Sequence, residues 1–289
     1  MKKLSVQMLS VIWVILLGAC VQTEEVNPEL ASDCRLKEVK LNGVKFEDFS
    51  YDANGNLTQK LLYVSSGDNY AYENLKIEGK QLTTEVFAKT PDSNEEFYKI
   101  RTCEILLDDS GNRVNIILTG YDKSGRIIDK TTQQPQYNPQ GYLTGINTEK
   151  IHTEASGATN ITKYTTSFIY DDANNLKQSL HTVIRGADNF IIAKQTCEYE
   201  FFEQPIFKPF EGIPSYLPIS RYSFTSIGQM QGKLLKKITE TITPTNGQQK
   251  VTSNSFEYKL ADNGCLDKAT QTFTDFDGST QVFDYDYIK

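Results

Sequence analysis

The feature that most constrains this chain is a turn it repeats. Tyr51-Asp52-Ala53-Asn54-Gly55-Asn56-Leu57 returns as Tyr121-Asp122-Lys123-Ser124-Gly125-Arg126-Ile127 and as Tyr170-Asp171-Asp172-Ala173-Asn174-Asn175-Leu176. Looser copies run from Leu107 to Arg113, Tyr137 to Leu143 and Leu260 to Leu266. Each has a large apolar residue, turn formers, a Gly or Asn, and usually a second apolar residue two places later. The Asp can accept hydrogen bonds from the backbone of the turn it opens. A Gly or Asn at the fifth position supplies the positive φ that most residues resist. The flanking apolar pair then returns to one face of a hairpin. Copies begin at 51, 107, 121, 137, 170 and 260. The gaps of 14 and 16 match one strand-turn-strand unit, and 33 is about two.

Between the turns the chain alternates with period two, as half-buried strands do. Phe283, Tyr285 and Tyr287 alternate with Asp284 and Asp286, and Tyr199 and Phe201 with Glu198 and Glu200. Tyr164, Thr166, Phe168 and Tyr170 share one face. No convincing amphipathic helix follows the N-terminal region. The fold class expected is all-β: a long antiparallel meander of hairpins over 34–289, forming one domain. Such a meander must deal with its two edges, so it is expected to close or curl strongly into a barrel. A transmembrane barrel is the competing idea. Short Asp-rich turns, Lys289 and the lipid anchor argued next all weigh against it.

Lys2 and Lys3 precede an apolar run from Met8 to Leu17, and Leu17-Gly18-Ala19-Cys20 follows. That run is about half the ~20 residues a membrane-crossing helix needs, which marks a secretory signal. The Leu-Gly-Ala-Cys ending resembles the bacterial lipobox. The resemblance implies a cleaved signal peptide over 1–19, a diacylglycerol on the Cys20 thiol and an acylated new amino group. Residues 20–33 then form the lipidated Cys and a polar, acidic tether. Position 21 is Val rather than the Asp of an inner-membrane retention signal, so an outer-membrane lipoprotein is expected. Glu24-Glu25 resembles an export signal of surface-exposed lipoproteins, which leaves periplasmic-facing and cell-surface placement both open.

Removing residues 1–19 leaves 28 Lys and Arg against 37 Asp and Glu, a formal charge of −9. An acidic chain with no basic block is a poor partner for nucleic acid. The four cysteines beyond Cys20 are Cys34, Cys103, Cys197 and Cys265, spaced by 69, 94 and 68 residues. No zinc pattern has that spacing. An even count in an oxidising compartment favours two disulfides, with three connectivities open. Cys34 with Cys103 and Cys197 with Cys265 is the preferred pairing, and buried free thiols are the alternative.

Phe201 to Phe224 breaks the alternation with Pro205, Pro209, Pro214 and Pro218. Proline cannot donate to a sheet ladder, so a long loop or irregular strand is expected. Its aromatics Phe202, Phe207, Phe210, Tyr216 and Tyr222 either cap the core or form a ligand lip.

The Tyr-Asp-x-x-Gly-Asn-Leu turns resemble the YD repeats of RHS-type proteins. The combination of lipobox, YD-like turns over 34–289 and a Pro-aromatic segment resembles a group of uncharacterised Gram-negative lipoproteins with a porin-like fold. That resemblance implies a soluble barrel-like β domain and no known activity. The imperfect copies speak against a regular RHS shell.

No catalytic constellation emerges. His152 and His181 are the only histidines, both beside Thr in polar segments, and are expected as solvated strand residues. Gly228 to Lys233 has one residue too few for a phosphate loop and Leu234 where Ser or Thr must hold magnesium. The Asp52 and Asp108 turns lack the Gly and bidentate Glu of a calcium loop and are expected as plain turns. The expectation is therefore a non-enzymatic, lipid-anchored envelope domain with no metal or cofactor, binding an unidentified ligand or envelope protein. A structural scaffold of an outer-membrane complex is the alternative, and a carboxylate-dependent glycoside hydrolase is a third. An apolar molecule inside the barrel is suggested by architecture alone, and since the single Trp, Trp13, lies in the expected signal peptide, the lack of Trp in the mature chain counts against glycans.

Overall fold

A computed structural model describes residues 34–63, 69–90, 95–110, 112–172, 175–185, 190–205, 233–245, 247–262, 265–273 and 280–287. They form sixteen strands and no helix. The first eight are β1 (Leu36–Leu41), β2 (Val44–Tyr51), β3 (Leu57–Tyr63), β4 (Asn69–Glu78), β5 (Gln81–Ala88), β6 (Tyr98–Leu107), β7 (Arg113–Tyr121) and β8 (Ile127–Tyr137). The others are β9 (Leu143–Thr153), β10 (Thr159–Tyr170), β11 (Leu176–Arg185), β12 (Phe190–Pro205), β13 (Lys233–Pro244), β14 (Lys250–Leu260), β15 (Leu266–Phe273) and β16 (Thr280–Tyr287). Every strand pairs antiparallel with its sequence neighbours, and β1 pairs with β16 to close the barrel. Closure removes both edges, the liability that a meander of this length must resolve.

In such a meander successive hairpins alternate between the two ends. We call the end holding Cys34 and the start of β1 the lower end. Five of the six repeated turns lie there: 51–57, 107–113, 137–143, 170–176 and 260–266. Only 121–127 lies at the upper end. The turns are built as their sequence requires. Asp52 Oδ1 accepts the amides of Asn54 at 2.9 Å and Asn56 at 2.8 Å. Asp108 does the same for Ser110 and Asn112, both at 2.8 Å. Gly55 and Gly141 adopt φ of 83°, so the left-handed position is filled by the residue that tolerates it. An upper-end turn from Glu154 to Ala158 has the same backbone hydrogen bonds, with Gly157 at φ 86°. Its Thr-Glu lettering hid it from a search for Tyr-Asp.

The inner wall is sealed by apolar residues at the lower end. Leu57, Leu143, Leu176 and Leu266 close four of the five turns there and are buried, and the fifth is closed by buried Arg113. Leu36, Phe49, Leu82, Ile105 and Phe283 pack with Leu57 and Leu266 into one cluster. Leu176, Cys197, Tyr199, Leu235, Ile238 and Phe256 form a second. A side chain on the inner face becomes this inaccessible only when other atoms fill the space in front of it. A round sixteen-strand barrel would leave a water-filled channel.

The outer face is charged along its length. Glu198, Glu200 and Lys194 stand exposed beside buried Cys197 and Tyr199. Outward pairs tie neighbouring strands, such as Lys99–Glu85 at 2.6 Å and Lys268–Asp284 at 3.0 Å. A lipid-facing barrel carries an apolar band ~25 Å tall, and a Lys at the bilayer midplane costs ~2–4 kcal/mol. This outer face suits water.

The cysteines depart from the expected pairing. Cys34 is bonded to Cys265, with Cα atoms 5.5 Å apart, and Cys103 and Cys197 are free thiols. Cys34 precedes β1 and Cys265 sits in the β14–β15 turn, both at the lower end, whereas Cys103 and Cys197 lie within strands on the inner wall. Burial pushes both free thiols up to about 12, so they are inert at neutral pH. The irregular segment begins where expected: β12 runs on to Pro205, but its ladder with β13 slips between Glu200 and Phe201 and again between Phe201 and Pro205.

Candidate functional site

Above the apolar seal the inner wall turns polar. The register fixes which side chains face inward. Gln133 lies opposite Thr148, Thr148 opposite Tyr164, Thr166 opposite His181, and His181 opposite Gln195. With Thr84, Ser179 and Gln271 these make a belt of buried amides, hydroxyls and one imidazole. The plain rule of apolar inside and polar outside fails here, because a polar alternating face says only that its residues share a side. That is why His181, expected in solvent, is buried on the inner wall. Its Nδ1 is 3.0 Å from Thr166 Oγ1, and its ring stacks on Tyr164 with centroids 5.4 Å apart. Burial pushes its imidazole down to about 4, so it is neutral. His152 is exposed, as expected, and lies 2.8 Å from Asp129 Oδ1.

The belt holds several polar atoms with no hydrogen-bond partner. They are Gln133 Oε1, Thr148 Oγ1, both amide atoms of Gln271, Gln281 Oε1 and both carboxylate oxygens of Glu47. Gln133 is 5 % exposed, Thr148 7 %, Gln271 1 % and Glu47 1 %. Buried polar groups in folded proteins are almost always satisfied, so these atoms are exceptions, and each is covered by surrounding protein.

A charged cluster occupies the β2–β4 wall. Lys60 Nζ lies 3.1 Å from Glu73 Oε2. Burial raises the Glu47 carboxyl to about 8 against the pull of Lys60, so it is protonated at neutral pH. Burial also works against Glu73, but Lys60, Thr84 and Arg101 outweigh it and hold its carboxyl below the ordinary value. Lys60 is lowered by burial and raised more by the Glu73 carboxylate, which keeps its ammonium charged. One ammonium and one carboxylate therefore face each other beside a neutral acid.

The upper rim of the β8–β9 wall is half-exposed. Asp129, Lys150 and His152 continue the inward rows of Gln133 and Thr148, and Lys150 Nζ stands 3.4 Å from Asp129. Exposure thus falls along β8–β11 from His152 at the rim to Gln133 in the depth.

Of the five residues expected at a ligand lip, Phe202 is half-buried, its ring edge-on to Tyr258 at 6.0 Å. Phe207, Phe210, Tyr216 and Tyr222 lie outside the described residues, as does Cys20. Sequence reasoning missed Gln133, Thr148, Gln271 and Glu47. The available signal was Thr and Gln at alternate positions in strands whose other face is also polar, which leaves no apolar face to bury.

No protein-family model matches the sequence, and no curated protein is similar to it in sequence. Among solved structures the chain is similar to a porin-like protein from Bacteroides vulgatus ATCC 8482. The TM-score is 0.56 at 11% identity, over 88% of this chain and 99% of that one. A porin-like protein from Bacteroides uniformis ATCC 8492 aligns with a TM-score of 0.36 at 14% identity, over 88% and 96% of the two chains. At such identities the likeness is one of fold: an all-β, porin-like barrel.

Proposed function

We propose that this chain is a lipid-anchored envelope protein that holds a small polar ligand inside the upper half of its barrel and carries out no chemistry on it. The observation that carries the reading is the polar inner wall of the upper half, where exposure rises from buried Gln133 and Thr148 through Asp129 and Lys150 to exposed His152 at the rim. An apolar ligand suits the wall poorly, since each polar atom left unpaired costs about 1–3 kcal/mol.

The anchor is Cys20, and the YD-like lipoprotein resemblance supports it. Thirteen residues separate Cys20 from Cys34, which the disulfide holds at the lower end. A stretch of that length reaches no more than about 50 Å, so in this reading the lower end stays within that distance of the membrane.

The non-enzymatic reading is supported by the fate of the best carboxylates. Glu47 and Glu73 have carboxyls pushed in opposite directions, as an acid and a base would, but Glu73 is paired with Lys60 and Glu47 is sealed from solvent. The scaffold reading draws on an outward aromatic cluster in which Tyr72 stacks on Phe87 at 4.9 Å and meets Phe97 at 5.1 Å.

The test is native mass spectrometry of the protein purified gently from its own cell envelope. A stoichiometric extra mass lost on denaturation is expected. A clean mass that stays unchanged when envelope extract is added back would overturn the ligand reading in favour of the scaffold.

A further inference from the structure

The interior buries two kinds of surface. Below, closing the barrel hides Leu36, Phe49, Leu57, Leu82, Ile105 and Leu266 in one apolar cluster, and every such side chain favours the closed form. Above that seal, closure hides groups that gain nothing from it. Gln133 lies opposite Thr148 in the β8–β9 ladder, and Gln271 opposite Gln281 in the β15–β16 ladder. Even so, Gln133 Oε1, Thr148 Oγ1, both amide atoms of Gln271 and Gln281 Oε1 have no hydrogen-bond partner. The polar contacts that are made run along the wall, between neighbouring strands. Thr166 meets His181, Lys60 meets Glu73, Ser179 meets Tyr199 at 2.9 Å and Gln195 meets Glu240 at 2.7 Å. Parting the walls breaks none of these and gives the unpartnered atoms water to bond.

We propose that the interior above the seal is a gate, whose inner walls part and take up water while the strand ladders and the apolar clusters below stay closed. The closed form is one state and the wetted form the other. Closure above the seal trades the hydration of amides and hydroxyls for burial without partners, which leaves the walls there weakly held. Asp129 and Lys150 at the half-exposed rim also pair within their own wall, at 3.4 Å, and move with it. The Cys34–Cys265 disulfide and the apolar clusters hold the lower end, so opening widens the upper end alone. The inference goes beyond ligand holding: it requires no ligand, and a clean native mass would leave it standing.

The test puts a reporter thiol into the polar wall with Thr148→Cys, in the detergent-purified full-length protein. Labelling by methyl methanethiosulfonate is read site by site with peptide mass spectrometry. Cys197, which packs in the second apolar cluster, is the internal control, and amide exchange of β8 and β9 reports on the ladders. The reporter's protection should be at least about tenfold lower than that of Cys197 and of the β8–β9 amides. It should also change little in low urea, as a local opening requires. Gln133→Met and Gln271→Met remove unpartnered amide atoms at nearly constant length, so each should favour the closed form and slow labelling about fivefold. The two variants stand on different strand pairs and check each other should one misfold. Labelling that only keeps pace with Cys197 or with amide exchange would mean that the walls part only when the barrel unfolds, and would overturn the gate. Fast labelling that neither variant slows would overturn it too, because the unpartnered atoms would then not set the balance.

Discussion

Leu143 and Ile127 close the same turn, the first at the lower end of the barrel and the second at the upper end. Leu143 is 2 % exposed and Ile127 is 49 % exposed. One sequence motif thus serves two environments. The turn itself is local, fixed by an Asx hydrogen bond and a left-handed Gly, and it forms wherever those residues stand. Whether its seventh residue is buried depends on what lies inside that end of the barrel.

Truncation should separate the two. Leu143→Ala should destabilise the protein by about 2–5 kcal/mol through lost burial and a cavity. Ile127→Ala should stay within about 0.5 kcal/mol, as surface changes do. Urea unfolding followed by circular dichroism measures both, and equal effects would contradict the sealed lower end.

The same contrast says what was legible in the sequence. Hairpins and turn positions followed from the spacing of Tyr-Asp-x-x-Gly, because those features depend on a few adjacent residues, while closing or strong curling followed from the need to resolve two sheet edges. That Tyr164, Thr166, Phe168 and Tyr170 share one face followed from period two. The partner of Cys34 did not, because a disulfide needs two places to meet in space. The meeting of the chain start with the β14–β15 turn is a consequence of closure between β1 and β16. The burial of His181, Gln133 and Thr148 was hidden for a similar reason. A strand with polar residues on both faces carries no label for the inside.

Thiol counting checks the disulfide. Under denaturing, non-reducing conditions the protein should give two titratable thiols, Cys103 and Cys197, with the Cys20 sulfur blocked by lipid. Peptide mapping should recover one linked pair, Cys34 with Cys265. In the chain-entropy model a crosslink across 231 residues contributes about 5 kcal/mol, so Cys265→Ser should lower the melting temperature by many degrees. Recovery of Cys34 linked to Cys103 would contradict the closed seam.

Glu47 predicts an alkaline loss of stability. Its folded carboxyl is raised to about 8 from an ordinary 4.5, so the folded state holds a proton that the unfolded chain has lost. The contribution is complete below about pH 4.5 and is lost as the pH rises through 8. Glu47→Gln, which keeps the shape without the charge, should flatten this decline. At pH 9 the variant should be more stable than wild type by a few kcal/mol, since each tenfold change in proton affinity is worth about 1.4 kcal/mol. Parallel melting curves at pH 5 and pH 9 would decide it.

His181 predicts the opposite slope at lower pH. Burial depresses its imidazole to about 4 from 6.5, so on acidification the unfolded chain takes up a proton before the folded one. Its contribution is present above about pH 6.5 and is lost as the pH falls through 4. His181→Gln should remove that part of the acid sensitivity, and its stability between pH 7 and pH 4.5 should fall less than that of wild type. An unchanged pH slope would mean that the ring is solvated.

The seam between β1 and β16 imposes an order on folding. All other pairings join strands adjacent in sequence, and each can zip as soon as its hairpin exists. The seam joins Leu36 to Tyr287, residues from opposite ends of the chain. Until the last strand arrives, β1 is a bare edge with unpaired amides and carbonyls, open to whatever strand it meets first. A newly made molecule therefore passes through an open, sticky ribbon before it becomes a barrel. Cys34 and Cys265 cannot lock that ribbon until its two ends have met.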